Sequence, residues 1–304
     1  MDAHWGKSLY DLNMPQINAP YIPNPQQKPL MHGLYLVPTP IGNLRDITLR
    51  ALDVLNACDF VVCEDSRVTG KLLKAYQIDK RKIVYNDHAS IETRDYIVRL
   101  LGEEKIIAMV SDAGTPMISD PGHKLVQACV AAGCYVTALP GANAVLPAVQ
   151  LSALNSNAFV FAGFLPSKDK ALREILVDYK SRRETILFYE SANRLEKTLK
   201  IIHDMYGDRP MAVVREISKL YEEAIRGTAL DILNHMTDNI IKGEIVVVIE
   251  GAGDIDGQDF DVDEMIQSAL QGGESVKSLS ERIAMMTGLK KRDIYNRALQ
   301  MDKA

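Results

Sequence analysis

Several features that mark other protein classes are missing from this chain of 304 residues. No apolar run approaches the roughly 20 residues that a membrane-spanning helix needs. The start of the chain lacks the basic-then-apolar order of a signal peptide. No G-x-x-x-x-G-K-[ST] string occurs, which argues against hydrolysis of nucleoside triphosphates. These absences lead us to expect a cytoplasmic protein without a membrane partner.

Cysteine is scarce, with four residues arranged as two C-x4-C pairs: Cys58 with Cys63, and Cys129 with Cys134. Two such pairs raise the question of a zinc site. The first pair brackets a strand-like segment, and no histidine lies close to it in sequence. Buried reduced thiols are therefore favoured over zinc, and we expect no metal.

The net charge of −5 argues against a generally basic nucleic-acid binder, but the charges are unevenly distributed. Residues 66–82 carry six Lys/Arg and one Asp, and residues 275–304 carry seven Lys/Arg and three acids. Residues 250–274 hold eight acids and no base. Local basic surface attracts phosphate. The alternative, commoner for a charge run, is a solvated helix face.

The length and a hydrophobic content of 47% fit two globular domains. Strand and helix patterns alternate up to residue 139, which indicates a parallel sheet with crossover helices. A polar break at 154–157 precedes further strand and helix patterns, in which 185–189 and 211–214 could be adjacent strands of a mixed sheet. We predict α/β architecture with two domains, residues 31–153 and 158–250, and a cleft between them.

Three further segments complete the predicted organisation. Residues 1–30 are rich in Pro, Asn and Gln and are expected to be poorly ordered. Residues 251–264 are expected to be a flexible acidic linker, and residues 265–304 a small helical extension with a basic surface. Its last two helices flank a glycine-containing turn like a helix-turn-helix, although most short helix pairs bind no nucleic acid.

Polar residues, proline and glycine follow each strand pattern of the first half. The richest loop is VSDAGTPMISDPG at 110–122, with two Asp, two Ser, two Pro and two Gly. In open α/β sheets, ligands bind at the carboxyl ends of the strands, so five such loops favour one shared site. The first loop, PTPIGN, has one glycine instead of the three of G-x-G-x-x-G, and its prolines lack N–H donors. It is therefore a poor pyrophosphate binder and a stiff wall for another ligand.

The strings TPIGNLRDIT, CEDSR, VSDAGTPMISDPG, PGANA, FAGFLPSK and YESANRL resemble those of the tetrapyrrole methylase superfamily of S-adenosylmethionine-dependent methyltransferases. Within it, they are most similar to the branch that methylates the ribose 2′-hydroxyl of a cytidine in bacterial small-subunit ribosomal RNA. The resemblance runs from about residue 34 to the C-terminus. It implies two α/β domains, usually in a homodimer, with the cofactor bound in the cleft by Pro40, Asp112, Ala113, Gly114, Thr115, Gly141, Ala142, Ala162 and Gly163.

Methyl transfer to a ribose hydroxyl needs a held oxygen and an acceptor for its proton. The candidates for the acceptor are Glu64, Asp65, Asp87, His88 and Glu190, and Arg67 could hold a phosphate with two hydrogen bonds. Of these we favour Asp65, Arg67 and Glu64 as catalytic residues. Asp65 has a structural alternative, a salt bridge. For Glu190 the favoured interpretation is an intrahelical ion pair with Arg194, four residues on.

RNA recognition would use basic side chains in three parts of the chain: Arg67, Lys71 and Lys74, then Lys168, Lys170 and Arg173, and finally Lys290, Lys291 and Arg292 in the tail. Phe164 could stack a base, or it could be buried.

Two other functions compete with methylation of ribosomal RNA. A tetrapyrrole methylase would carry a glycine-rich first loop, where this chain has TPIGNLRDIT. A non-catalytic RNA-binding or ribosome-assembly factor would have no affinity for the cofactor, which leaves the series of strand-end loops unexplained.

Overall fold

The computed structural model describes residues 29–86, 89–253, 262–287 and 289–302. The first half forms the predicted parallel sheet, with strand order β3-β2-β4-β1-β5. Its strands are β1 (Gly33–Leu36), β2 (Phe60–Cys63), β3 (Arg81–Val84), β4 (Ile106–Met109) and β5 (Val136–Ala138). The helices between them are α1 (Leu49–Ala57), α2 (Ser66–Ala75), α3 (Ile91–Gly102) and α4 (His123–Ala131).

The helices of the first half cover both faces of this sheet. Helices α1 and α2 pack on one face, around Val54, Leu55 and Leu73. Helices α3 and α4 pack on the other, around Ile97 and Leu125. The chain therefore leaves β4 towards one face, whereas it leaves the neighbouring strands β1 and β2 towards the other. Such a switch opens a crevice at the carboxyl ends of the strands.

The second half forms the predicted mixed sheet, with order β6-β7-β10-β8-β9. Its strands are β6 (Phe159–Phe164), β7 (Thr185–Ser191), β8 (Met211–Arg215), β9 (Glu223–Gly227) and β10 (Glu244–Ile249). Its helices are α5 (Val145–Ser152), α6 (Asp169–Lys180), α7 (Ala192–Tyr206) and α8 (Ala229–Asp238). Only β6 and β7 pair in parallel; β10 is antiparallel to both β7 and β8, and β8 is antiparallel to β9.

One expectation for this sheet was wrong, and one of its strands was not predicted. Strands β7 and β8 are not neighbours, because β10 lies between them and pairs with both. Strand β10 takes the central place because its apolar run, Ile245 to Ile249, is buried on both faces. Strand β9 was not predicted, since the edge sequence EAIRG is only half-buried and lacks a strong apolar pattern.

Helix α5 joins the two halves. Its buried side chains Val145, Ala148 and Val149 pack on the face of the second sheet that carries Ala212 and Val248. The opposite face of that sheet is covered by α6, α7 and α8. Helix α5 lies within residues 31–153, which the sequence assigned to the first domain, yet it is buried against the second sheet. The domain boundaries themselves stay a prediction.

The C-terminal residues form three helices, α9 (Val262–Gln271), α10 (Val276–Thr287) and α11 (Lys291–Met301). They share a core of their own around Ile266, Leu279, Ile283 and Ile294. The helical extension is confirmed, but α9 begins inside the segment expected to be a flexible linker. Residues 254–261 of that linker and residues 1–28 of the N-terminal extension lie outside the described residues. No helix in the described ranges has the length and apolarity to cross a membrane.

Candidate active site

The loops that follow β1 and β4 are hydrogen-bonded to each other. Thr39 and Gly114 exchange both backbone hydrogen bonds, each 2.9 Å from N to O. The buried Thr39 hydroxyl also donates to the Ser111 carbonyl at 3.1 Å. Since both polar groups of each backbone unit are engaged, these two loops form one rigid rim at the topological switch.

The loop after β5 joins the same rim. The Thr115 hydroxyl donates to the Ala142 carbonyl at 3.0 Å. Gly141 lies so close to the first loop that a Cβ at this position would be 2.7 Å from the Cβ of Pro38. Only a residue without a side chain fits there, so the glycine of the PGANA string allows the two loops to pack together.

The loop after β2 is attached through Asp112. The Asp65 N–H donates to the Asp112 carboxylate at 3.3 Å. Burial raises the pKa of Asp112, and this hydrogen bond from Asp65 works in the opposite direction. Four of the five strand-end loops therefore meet, as the parallel sheet predicted. In the fifth, Asp87 and His88 lie outside the described residues.

The second sheet forms the wall opposite this rim. At the end of β6, Gly163 has a left-handed backbone with φ of +66°, and a Cβ there would lie 3.3 Å from the Ser119 hydroxyl. Tyr189 of β7 packs edge-on against Phe161 and contacts Phe164, with ring centroids 4.8 and 5.3 Å apart. Burial, with a smaller effect of the Asp120 carboxylate, raises the pKa of Tyr189 to about 12. The loop at 110–122 thus faces the ends of strands β6 and β7, and we call the region between them the crevice.

Asp120 was missed as a candidate, although it lies within the loop singled out first. Burial and the nearby Glu64 carboxylate raise its pKa to about 7. Two non-glycine residues beside it, Met117 and Ser119, have left-handed backbones with φ of 70° and 65°. Strained backbone of this kind clusters at functional sites. Sequence offered no signal for Asp120 beyond its place in the motif, because its environment comes from other elements.

Asp65 and Arg67 form a tight pair at the start of α2. The Asp65 carboxylate caps the helix by accepting the Arg67 N–H at 2.8 Å, and Nη2 of the same arginine lies 2.6 Å away. These hydrogen bonds lower the pKa of Asp65 to about 2. The salt bridge weighed for Asp65 is therefore present, and it makes this carboxylate a weak proton acceptor. The Arg67 side chain is 87% exposed.

Glu190 is buried and fully bonded. Its carboxylate lies 3.3 Å from Arg194 and accepts from the Thr198 hydroxyl at 2.7 Å and from the Ser191 N–H at 2.8 Å. The ion pair with Arg194 is confirmed. It is not intrahelical, however, because Glu190 lies on β7 and Arg194 on α7. Phe164, weighed as stacked or buried, keeps 41% of its surface exposed at the crevice.

A second contact between the halves was not foreseen. Lys219, in the turn after β8, lies 2.9 Å from both Glu216 and Glu244, and its stem covers Gly42 of the first loop. Burial lowers the pKa of Lys219, but the two carboxylates outweigh it and raise the pKa. Burial also raises the pKa of Glu244. The Lys219 side chain thus connects the two halves of the chain beside the crevice.

The basic residues singled out for RNA occupy separate surfaces. Arg67, Lys71 and Lys74 are exposed at spacings of four and three residues, so they share one face of α2. Lys168 and Lys170 are exposed at the start of α6, directly after the β6 wall. Nearby, Arg173 pairs with Asp204 at 2.9 Å instead of standing free.

The tail has less positive surface than its sequence suggested. Lys290, Lys291 and Arg292 are exposed at the start of α11. Lys291 pairs with Glu281 at 3.0 Å, and Arg297 pairs with α9 at 2.7 Å. With α9 included, residues 262–302 carry six basic and six acidic side chains. The basic surface of the tail is therefore interrupted by ion pairs, and its densest part is the start of α11.

The four cysteines lie in two different cores. Cys58 and Cys63 pack on the α1–α2 side of the first sheet, and Cys129 and Cys134 on the α3–α4 side. Burial raises the pKa of both Cys58 and Cys129 to about 11. Thiols on opposite faces of one sheet cannot share an ion. Among the described residues, no group of three or more His, Cys, Asp or Glu side chains could hold a metal.

A parallel sheet with a topological switch, whose strand-end loops face a second, mixed sheet, defines a two-part α/β architecture with a candidate ligand site between the sheets. Comparison with known proteins specifies it further. The family model of the tetrapyrrole (corrin/porphyrin) methylases matches residues 33–233. The chain belongs to this family.

Curated relatives match over most of their length. The chain is 37% identical over 252 residues to a protein named ribosomal RNA small subunit methyltransferase I from Rickettsia prowazekii, covering 83% of this chain and 90% of that one. Proteins of the same name from Bacillus subtilis and Mesorhizobium japonicum are 39% and 40% identical. The match to the Bacillus protein covers 86% of this chain and 92% of that protein. The match to the Mesorhizobium protein covers 90% of this chain and 94% of that protein.

Among solved structures, the chain resembles a cobalamin biosynthetic enzyme, cobalt precorrin-4 methyltransferase, with a TM-score of 0.51 and 19% identity. The match covers 71% of this chain and 94% of that one. At this identity the likeness concerns the fold alone.

Proposed function

We propose that this protein transfers a methyl group from S-adenosylmethionine to the ribose 2′-hydroxyl of a cytidine in small-subunit ribosomal RNA. The observation that carries the proposal is the crevice, where four strand-end loops are joined into one rim facing β6 and β7. The names of relatives that are 37–40% identical support ribosomal RNA as the substrate. The cytidine and its 2′-hydroxyl come from the motif resemblance.

The residues of the crevice suit this cofactor. S-adenosylmethionine carries a positive sulfonium and a positive ammonium group beside one carboxylate, and the carboxylates of Asp112 and Glu64 at the rim would offer negative charge to the two cations. The bare backbone at Gly141 and Gly163 leaves room for close approach. The residues that would hold the cofactor are Pro40, Asp112, Ala113, Gly114, Thr115, Gly141, Ala142, Ala162 and Gly163.

The cofactor supplies an electrophilic methyl group on a good leaving group. The protein then has to hold the hydroxyl in line with that methyl, exclude water and accept a proton. Glu64 and Asp65 are the carboxylates proposed to act on the substrate beside the cofactor. Because Asp65 is paired with Arg67 and has a pKa of about 2, its contribution is to orient Arg67 towards RNA phosphate.

RNA would meet the mouth of the crevice on two sides. The exposed row of Arg67, Lys71 and Lys74 starts at the rim, since α2 begins directly after β2. Lys168, Lys170 and Arg173 follow the opposite wall, and the end of α11 that carries Lys290, Lys291 and Arg292 would reach further along the RNA. A ribosomal substrate implies a cytoplasmic location, and the family resemblance implies a homodimer.

The test uses the full-length chain with methyl-labelled S-adenosylmethionine and three acceptors: assembled small subunits, free small-subunit RNA and a tetrapyrrole. Both RNA acceptors come from cells that lack the protein. Digestion of the RNA and mass spectrometry should yield labelled 2′-O-methylcytidine from one RNA acceptor. Label in the tetrapyrrole alone would assign the chain to small-molecule methylation. Absence of cofactor binding in calorimetry would assign it to non-catalytic RNA binding.

A further inference from the structure

Phe164 is an exposed aromatic side chain at the crevice. It ends strand β6 and directly follows Gly163, where a Cβ would lie 3.3 Å from the Ser119 hydroxyl of the opposite loop. The residue keeps 41% of its surface exposed. Single exposed apolar residues are common on protein surfaces, so the exposure alone assigns no role. The local backbone and the neighbouring rings explain why this ring lies here.

A β-bulge in β6 changes the face of the sheet on which Phe164 lies. Phe161 pairs with Leu187 and Phe164 with Tyr189, so β6 advances three residues while β7 advances two. Within the bulge, Gly163 has the left-handed φ of +66°. In a regular strand, residues three apart point to opposite faces. The bulge instead brings Phe164 to the face of Phe161, which packs against α5 and the first loop. Bulges beside active sites re-aim side chains in this way.

The rings of Tyr189 and Phe161 support the ring of Phe164. The centroids of Tyr189 and Phe164 are 5.3 Å apart with planes inclined by 58°, and Tyr189 packs edge-on against Phe161 at 4.8 Å. Aromatic pairs attract each other at such separations. Phe164 is the most exposed of the three rings, since the other two are half-buried. A ring supported in this way loses little conformational freedom when a flat ligand stacks on it.

The surroundings of the ring favour a nucleic acid over an uncharged flat ligand. Lys168 and Lys170 are exposed within six residues of Phe164. Bases of unpaired nucleotides stack on aromatic side chains, and basic residues beside them bind the phosphates. Because Phe164 directly follows the residue that approaches the opposite loop, a base on its ring has its own ribose close to the loop that carries the proposed cofactor residues.

We propose that Phe164 stacks the base of the nucleotide that is methylated and thereby positions its ribose 2′-hydroxyl towards the cofactor. The nucleotide has to leave its neighbours to reach the ring, because a base inside a helix is covered on both faces. The inference rests on the proposed function and adds a residue that recognises the substrate base. Phe164 forms no bond in the reaction, so it is a positioning residue.

The test measures single-turnover methylation at saturating cofactor, with whichever RNA acceptor the wild type methylates, over a series of RNA concentrations. Phe164→Leu removes the aromatic face and keeps an apolar side chain, so it should lower the rate at saturating RNA by about 10- to 100-fold. Phe164→Tyr keeps the face and should stay within about threefold of wild type. Phe159→Leu is the matched control, because Phe159 is similarly exposed, at 38%, and lies at the other end of the same strand. It should behave as wild type.

Calorimetry with S-adenosylmethionine accompanies the rates. The dissociation constant for Phe164→Leu should stay within about threefold of the wild-type value. This result would show that the variant is folded around the cofactor site, and that the ring does not stack the adenine of the cofactor, which offers the same flat aromatic chemistry as an RNA base.

Four results would overturn the assignment. Phe164→Leu could keep the wild-type rate, or Phe164→Tyr could lose as much as Phe164→Leu, so that an aromatic face is not what the site needs. A loss that excess RNA restores in full would place another base of the RNA on the ring. A loss of cofactor affinity in proportion to rate would assign the ring to adenine. Failure of the wild type to methylate any RNA would overturn the proposed function as well, whereas the four results above leave it standing.

Discussion

Ionised Asp120 should destabilise the folded protein, and the size of the effect follows from its environment. Its pKa rises from 3.8 in the unfolded chain to about 7 in the folded protein, with burial the largest cause and Glu64 next. A carboxyl whose pKa is raised by folding contributes stability that is complete below pH 3.8. That contribution is lost as the pH rises through 7. Each unit of difference corresponds to about 1.4 kcal/mol.

Between pH 5 and pH 8 the expected loss from this one group is about 2.5 kcal/mol of unfolding free energy. Asp120→Asn removes the charge and keeps the shape, so the variant should lack this loss. The unfolding free energy of the variant, relative to that of the wild type, should therefore increase by about 2.5 kcal/mol from pH 5 to pH 8. Urea unfolding of both proteins at pH 5 and pH 8, followed by circular dichroism, measures that difference.

The comparison has an internal control. Titrating groups that do not interact with Asp120 are common to the two proteins, so they cancel in the difference between their pH dependences, and the difference reports Asp120 together with Glu64, Asp112 and Tyr189, to which it is coupled. Asp79→Asn changes an exposed aspartate, and its unfolding free energy should depend on pH in the same way as that of the wild type. Parallel curves for Asp120→Asn and wild type would refute the reasoning, since Asp120 would then have an ordinary pKa in the folded protein.

Three further perturbations test other parts of the site. Gly141→Val should raise the dissociation constant of S-adenosylmethionine at least about tenfold in calorimetry, because the valine Cβ would overlap Pro38 of the first loop. An unchanged constant would mean that the contact between these two loops does not shape the cofactor site. Replacing both Lys71 and Lys74 by Gln should weaken RNA binding, as measured by fluorescence anisotropy. The slope of log affinity against log salt concentration should become shallower by roughly 1.4. Equal slopes for the variant and the wild type would show that α2 does not contact RNA. Arg194→Ala should lower the unfolding free energy by about 3 kcal/mol at neutral pH, because it leaves Glu190 buried without its cation. A loss below about 1 kcal/mol in urea unfolding would show that the other hydrogen bonds of Glu190 are enough to stabilise its buried charge.

The sheet of the first half could be predicted from sequence because its signals are local. Most strands there are short apolar runs followed by turn residues, and three of the four helices, α1, α2 and α3, begin at a side-chain cap, namely Thr48, Asp65 and Ser90. Parallel pairing then follows from the alternation of strands and helices. The meeting of the strand-end loops was predictable for the same reason, because parallel strands end at one edge.

The second sheet shows where local signals fail. The antiparallel insertion of β10 between β7 and β8 depends on which apolar faces remain to be covered, and no single segment carries that information. The edge strand β9 and the start of helix α9 were missed because β9 has weak local patterning and α9 opens in an acidic stretch. Both are stabilised by neighbours that lie far away in the chain: β9 by pairing with β8, and α9 by the core it shares with α10 and α11.

Sequence by itself determined the family, the α/β class and the loops that form the site, because these depend on residue types and on their order. The tertiary structure alone decided what each carboxylate can do. Asp65 and Asp120 are the same residue type in neighbouring loops, yet one has a pKa of about 2 and the other about 7. The difference lies in the groups around them, an arginine in one case and burial together with a second carboxylate in the other. Such surroundings exist only once distant parts of the chain have folded together.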